Sequence, residues 1–285
     1  MIKMIAADLD GTLLNDDGVI TPATKNALIH AQENGIRMVI ATGRSPRFTA
    51  REQEQLQMER FKDNYIIALN GQEICRFSDG HIWRGPRVPA ADVSPVLKLA
   101  NDYCLEALCY DGNVRYQYLP PDFQAKKEAW LRGRQAAAYK DHESILGEKR
   151  PITSWEAPFP REVNKIALLH SSVRLQEVLP LIRDRLAPGL KALLVKPNWL
   201  EIIPTGVSKG EALKRIMEET GIQTSEVAVF GDGENDIDMI KTAGYGFAMG
   251  NAFPSVKQAA FAVTASNNQD GIAKALRFFA ELGCV

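Results

Sequence analysis

Short apolar runs alternating with helical stretches open this chain and close it, and no other feature narrows its fold as much. Ile2 to Ala7 is apolar apart from Lys3 and too short for a helix, so it predicts a buried strand. A helix to Asn34 follows, with Thr21 suited to the N-cap, Pro22 to the first helical position and Gly35 to the exit. Ile36 to Ala41 is a second strand, Arg51 to Glu59 reads as a polar helix, and Tyr65 to Leu69 is a third strand. Crossovers this short imply a parallel sheet with helices on its faces. The rhythm resumes at Ser208 with a helix to Gly221. Strands at Val227–Phe230, Tyr245–Met249 and Phe261–Thr264 then alternate with helices at Asp236–Ala243, Pro254–Ala260 and Asp270–Leu282.

The middle of the chain has another texture. Glu73 to Phe77, an Asp79-Gly80 turn and His81 to Arg84 predict a hairpin. After Pro86 and Pro89 come a helix through Tyr103, two strands around Asp111-Gly112-Asn113 and a polar helical region from Phe123 to His142. Val163 to His170 reads as strand and Arg174 to Leu186 as helix. Leu190–Lys196 and Trp199–Ile203 read as two strands joined at Pro197-Asn198. Hairpins mixed with helices predict an antiparallel α+β layer. The expected fold is therefore α/β: a Rossmann-like parallel-sheet core from 1–84 and 200–285, with an α+β domain inserted at 85–199.

The predicted strand ends carry the chemistry. The first stops at Asp8-Leu9-Asp10-Gly11-Thr12, which puts two carboxylates at the carboxyl edge of a parallel sheet, where ligands bind in such folds. Close carboxylates repel and lose hydration when partly buried, and a hard oxygen-liganded cation such as Mg2+ relieves both penalties. A plain strand followed by an Asp-Gly turn is the alternative reading. The second strand ends in Thr42-Gly43-Arg44, and the strand at Val227 ends in Gly231-Asp232-Gly233-Glu234-Asn235-Asp236. Lys209 stands at a helix start within Gly206-Val207-Ser208-Lys209-Gly210. Taken singly, these are a turn, a capping loop and a solvated lysine. Taken together, at strand ends and a helix start, they supply carboxylates for a metal, and a hydroxyl and a lysine for an anion.

Composition excludes several other functions. A formal net charge of −1 offers no basic face for nucleic acid. No apolar stretch approaches membrane-spanning length, and the N-terminus carries no charged, apolar and cleavage pattern. Cys75, Cys104, Cys109 and Cys284 form no Cys-x-x-Cys pair or zinc spacing and suit a reducing compartment, so the expected location is cytoplasmic. His30, His81, His142 and His170 are scattered, and the Gly244-x-Gly246-x-x-x-Gly250 spacing does not fit a dinucleotide fingerprint.

The four ordered clusters Asp8-Leu9-Asp10-Gly11-Thr12, Ala41-Thr42-Gly43-Arg44, Lys209, and Gly231-Asp232 with Asn235-Asp236 resemble the motifs of the haloacid dehalogenase superfamily of phosphohydrolases. The insertion between the second and third motifs resembles the cap of the Cof-type sugar-phosphatase branch, as do Leu69-Asn70-Gly71 and Leu200-Glu201-Ile202-Ile203-Pro204. The resemblance implies hydrolysis of small phosphate monoesters, sugar phosphates foremost. In that scheme Asp8 is the nucleophile that forms an aspartyl-phosphate, and Asp10 is the general acid and base. It implies Mg2+ held by the Asp8 carboxylate, the Asp10 backbone carbonyl and Asp232. The phosphoryl group would be gripped by Thr42, the Leu9 and Gly43 amides, Lys209 and Asn235. Asp236 would orient Lys209, and Arg44 is a candidate substrate contact. The expected partner is a small phosphate ester, with no nucleic acid and no membrane. A phosphomutase of the same superfamily and a non-enzymatic sugar-phosphate binder are the alternatives.

Overall fold

The computed structural model describes residues 1–61, 63–121, 123 and 148–281. They form two compact units, Met1–Gly85 with Val207–Val285, and Pro86–Gly206.

The first unit is built on an eight-stranded sheet. Its strands are β1 (Met4–Asp8), β2 (Arg37–Ala41), β3 (Tyr65–Ala68), β4 (Glu73–Arg76), β5 (Ile82–Arg84), β12 (Val227–Gly231), β13 (Tyr245–Ala248) and β14 (Ala262–Val263). They lie in the order β14-β13-β12-β1-β2-β3-β4-β5. The six from β14 to β3 are parallel, and the hairpin β4–β5 extends the sheet antiparallel. From β1 the chain moves one way to β2 and β3, then returns as β12 on the other side of β1 and continues to β13 and β14. The β1/β12 boundary is thus the point where strand order reverses, the place at which open α/β sheets bind ligands.

The unbroken apolar runs follow from burial on both faces. Ile5, Ala7, Met38, Ile40, Ala228 and Phe230 pack on Leu28 and Ala31 of helix α1 (Pro22–Glu33), and on Ile272, Leu276 and Phe279 of the last helix, Gly271–Glu281. The alternate residues Met4, Ala6, Val39, Val227 and Val229 pack on Leu213, Ile216 and Met217 of the helix Lys209–Thr220. Each strand therefore needs apolar residues at every position, not every second one. Thr21 caps α1 by accepting from the Thr24 amide at 3.3 Å. Below the sheet, the buried Asn64 accepts from the Met38 amide at 2.8 Å and donates to Gln32 at 2.7 Å, so this polar pair is satisfied internally.

The second unit holds a six-stranded sheet in the order β10-β11-β9-β6-β7-β8, from β6 (Glu106–Asp111), β7 (Val114–Tyr118), β8 (Glu148–Ile152), β9 (Lys165–Leu169), β10 (Leu190–Lys196) and β11 (Trp199–Pro204). All its pairings are antiparallel except β7 with β8. Ala107, Cys109, Ile166, Leu168, Leu200 and Ile202 pack on Val93, Val96 and Leu97 of the helix Ala90–Asp102, and on Leu175, Val178 and Ile182 of the helix Ser172–Arg185. The expected boundary at Leu200 falls inside β11. That strand is hydrogen-bonded on both sides, to β10 and β9, so it stays with the second sheet and the division comes after Gly206. Strand β8 was not anticipated. The helical region expected to reach His142 lies outside the described residues apart from Phe123, as does Cys284. Cys75, Cys104 and Cys109 are free thiols. Among the described residues no helix is long and apolar enough to cross a membrane.

Candidate active site

The candidate residues fall within the first unit because three strand ends lie side by side. Parallel register sets Asp8 against Ala41 of β2, and Ala7 against Phe230, so the ends of β12, β1 and β2 are neighbours. Asp8 at the end of β1, Thr42 just past β2 and Asp232 just past β12 are thereby brought to one edge.

Lys209 enters from the other direction, at the first residue of its helix. Ser208 caps that helix by accepting from the Glu211 amide at 3.1 Å. The lysine is fully buried, yet its ammonium donates to Oδ1 of Asp8 and, at 2.6 Å, to Oδ1 of Asp236. Asp236 is fixed in turn, because its Oδ2 accepts from the amides of Asp232 at 3.0 Å and Gly233 at 2.9 Å.

Burial by itself would lower the Lys209 pKa, but Asp236 and Asp8 outweigh it and hold the group above its ordinary value, so it stays charged. For Asp8 burial dominates. It pushes the carboxyl well above the usual range, opposed by Lys209 and aided by Asp236 and Asp232. One lysine thus faces three buried or half-buried carboxyl groups.

Asp232 accepts from the Thr12 hydroxyl at 2.8 Å and lies against Gly11, whose φ is +89°. A Cβ on Gly11 would sit 2.5 Å from Asp232 Oδ2, so this close approach requires glycine. Ligand oxygens of Asp8, Asp232 and Asp236 lie within 4.8 Å of one another. All are hard carboxylate donors. Across the site, the four carboxyl groups of Asp8, Asp10, Asp232 and Asp236 outnumber the two cationic groups of Lys209 and Arg44, a donor set that suits a hard divalent cation.

Thr42 is fully buried, and its Oγ1 accepts from the Arg44 amide at 3.0 Å, which leaves its own O–H to point at an acceptor elsewhere. Leu9 is buried beside Asp8, and Gly43 follows Thr42. Asn235 donates from its side-chain amide to Asn70 Oδ1 at 3.0 Å. Arg44 is committed to Asp10: Nε donates to Oδ2 at 2.9 Å and Nη2 to Oδ1 at 2.7 Å.

Two residues belong to this constellation that the sequence reading did not name as site residues. Thr12 holds Asp232. Asn70, in the left-handed region at φ 57°, holds Asn235 and donates its amide to the Thr42 carbonyl at 3.0 Å. Gly71, at φ +101°, lets this turn lie against the Lys209 helix, since a Cβ there would come within 2.6 Å of the Ser208 carbonyl carbon. An Asn-Gly pair at a strand end was the available signal.

Residues 5–276 match the family model for haloacid dehalogenase-like hydrolases. The chain belongs to that family. It is 29% identical over 280 residues to a putative phosphatase, YxeH, of Bacillus subtilis, covering 97% of each chain. It is 28% identical to the pyridoxal phosphate phosphatase YbhA of Escherichia coli, with 95% of this chain and 96% of that one covered. Among solved structures it is similar to the subclass IIB sugar phosphatase BT4131, at 25% identity and a TM-score of 0.78, covering 99% of this chain and 100% of that one. This member of the haloacid dehalogenase-like hydrolases is a phosphatase, a hydrolase of phosphoric monoesters.

Proposed function

We propose that this phosphatase hydrolyses small phosphate monoesters, sugar phosphates foremost, in a Mg2+-dependent reaction through an aspartyl-phosphate on Asp8. The observation that carries the reading is the Asp8–Lys209–Asp236 contact at the strand-order reversal, with Asp10, Thr42 and Asp232 on the same edge. Asp8 attacks phosphorus in line with the departing oxygen, which replaces one difficult hydrolysis by two easier steps. Asp10 gives its proton to the leaving alkoxide and later takes one from the water that attacks the aspartyl-phosphate. Lys209, the Thr42 hydroxyl, the Leu9 and Gly43 amides and Asn235 bind the phosphoryl oxygens, where negative charge is concentrated. Asp236 keeps the Lys209 ammonium oriented. The Asp8 and Asp232 carboxylates and the Asp10 carbonyl would hold the cation, which would add Lewis-acid charge at the phosphoryl oxygens.

The inserted unit, Pro86–Gly206, is the part to which we assign the choice of leaving group. Every residue named in the chemistry lies outside it. The first unit supplies nucleophile, phosphate grip and metal ligands but little that would read the remainder of the ester. Sugar phosphates are favoured by similarity to a sugar phosphatase, and the pyridoxal phosphate phosphatase keeps heteroaromatic esters in the panel.

The test is release of inorganic phosphate from a panel of small phosphate esters, with Mg2+ and with excess chelator, alongside a search for isomerised ester. Cation-dependent release without isomer is expected. Undiminished release in chelator would overturn the metal assignment, and isomer without phosphate would make the protein a mutase.

A further inference from the structure

Asp10 is two residues from Asp8 on the same strand end, yet the close carboxylate group comprises Asp8, Asp232 and Asp236. The Asp10 carboxylate is instead gripped on both oxygens by Arg44, a bidentate fork–fork geometry that fixes direction as well as charge. Arg44 is itself held in place. Its amide is bonded to Thr42 Oγ1 at 3.0 Å, its carbonyl accepts from the Leu69 amide at 3.0 Å, and Nη1 reaches the Phe48 carbonyl at 3.4 Å. Both side chains are largely withdrawn from water, at 19% exposure for Arg44 and 29% for Asp10. A contact this constrained does more than neutralise a surface carboxylate.

We infer that Arg44 is a positioning residue that keeps the Asp10 carboxylate out of the metal site and leaves the cation to the Asp8 and Asp232 carboxylates. The inference rests on the metal and acid–base assignments proposed above. A hard cation takes any carboxylate oxygen it can reach, and Asp10 is already expected to offer its backbone carbonyl. Freed of the fork, its side chain becomes a further anionic ligand. The consequence depends on the ion. Mg2+ demands near-octahedral geometry and retains waters, whereas Ca2+ accepts six to eight oxygens in flexible arrangements. An extra carboxylate therefore favours Ca2+ over Mg2+, and a carboxylate bound to metal no longer delivers a proton.

The experiment is calorimetric titration of Mg2+ and Ca2+ into the full-length protein without substrate, for the parent, Arg44→Gln, Arg44→Lys and Arg44→Gln with Asp10→Asn, each checked for folding by circular dichroism. Arg44→Gln should raise Ca2+ affinity by roughly 10–100-fold, the scale at which residues around a metal's ligands act, and raise Mg2+ affinity much less. Arg44→Lys keeps the charge but offers a single point contact, so the Ca2+/Mg2+ ratio should shift the same way. The double variant should return the ratio to the parent value. In turnover, Arg44→Gln should lower kcat by a similar factor for every ester while leaving KM nearly unchanged. Equal gains for both ions in Arg44→Gln with no change in Arg44→Lys would show that only charge matters and overturn the proposal. So would a ratio shift that persists without the Asp10 carboxylate. A parent protein that binds neither ion fails at the metal assignment instead, before Arg44 enters.

Discussion

Replacing Lys209 by Met keeps most of the aliphatic stem and removes one fully buried ammonium from between two carboxylates. Side-chain exposures at the two ion pairs are 0% and 9% for Lys209 with Asp8, and 0% and 1% for Lys209 with Asp236. At the 2.6 Å separation from Asp236, the bare attraction is about 6 kcal/mol at an effective dielectric constant of about 20. The ammonium's own desolvation offsets much of it. Removing one partner of a buried pair costs about 3–5 kcal/mol net, chiefly because charge is left behind without compensation. For a unit the size of Met1–Gly85 with Val207–Val285, each kcal/mol is worth about 2–4 °C, so the melting temperature should fall by roughly 6–20 °C. Thermal melts of parent and variant followed by circular dichroism in excess chelator, at one fixed pH, measure this. Adding Asp8→Asn to Lys209→Met removes one stranded charge and should recover about 1–3 kcal/mol, a coupling expected only of groups in contact. A shift under about 2 °C in the folded single variant, or strictly additive losses in the double, would refute the claim that these pairs hold the strand end together.

Three further outcomes are expected. Asp8→Asn should abolish turnover, because an amide is a very poor nucleophile toward phosphorus, while Asp10→Asn should lower it by about 10²–10⁴-fold through lost proton transfer. Both are read from phosphate release by folded protein, and near-normal turnover in Asp8→Asn would refute the nucleophile assignment. Gly71→Ala combines a positive φ with a Cβ 2.6 Å from a backbone carbon of the Lys209 helix cap, so it should cost about 1–3 kcal/mol in denaturant unfolding and lower kcat by displacing Lys209. The third concerns pH. Folding raises the Asp8 pKa above its unfolded value of 3.8, so the folded state binds that proton more tightly. This contribution to stability is full below the unfolded value and is lost as pH rises through the folded one. In chelator the melting temperature should therefore decline from mildly acidic toward alkaline pH, and Mg2+ should raise it more at the alkaline end, where no proton must be displaced.

Much of this protein was legible before any coordinates. Strands buried on both faces cannot alternate in polarity, and that texture marked Ile2–Ala7, Ile36–Ala41 and Val227–Phe230. Short crossovers made their sheet parallel. Thr21 and Ser208 announced their helices because a hydroxyl that accepts from the first turn has a local sequence signature. Acids, a threonine and a lysine at element ends are conspicuous for the same reason, since everything around them is apolar or structural. What remained hidden is set by pairings between residues far apart in sequence. Whether β12 lies beside β1 depends on hydrogen bonding across more than half the chain, and only that neighbourhood sets Asp232 near Asp8. The boundary at Leu200 misled because β11 reads as a strand from its own residues, whereas its membership of a sheet depends on β9 and β10. That the Arg44 fork meets Asp10 is likewise a fact of the tertiary fold, not of the local sequence. Asn70 became part of the site only through Asn235, 165 residues away. Local patterns encode how each residue's backbone and burial behave. Which charged groups meet is decided by packing, because a buried charge takes whatever partner the tertiary fold brings within reach.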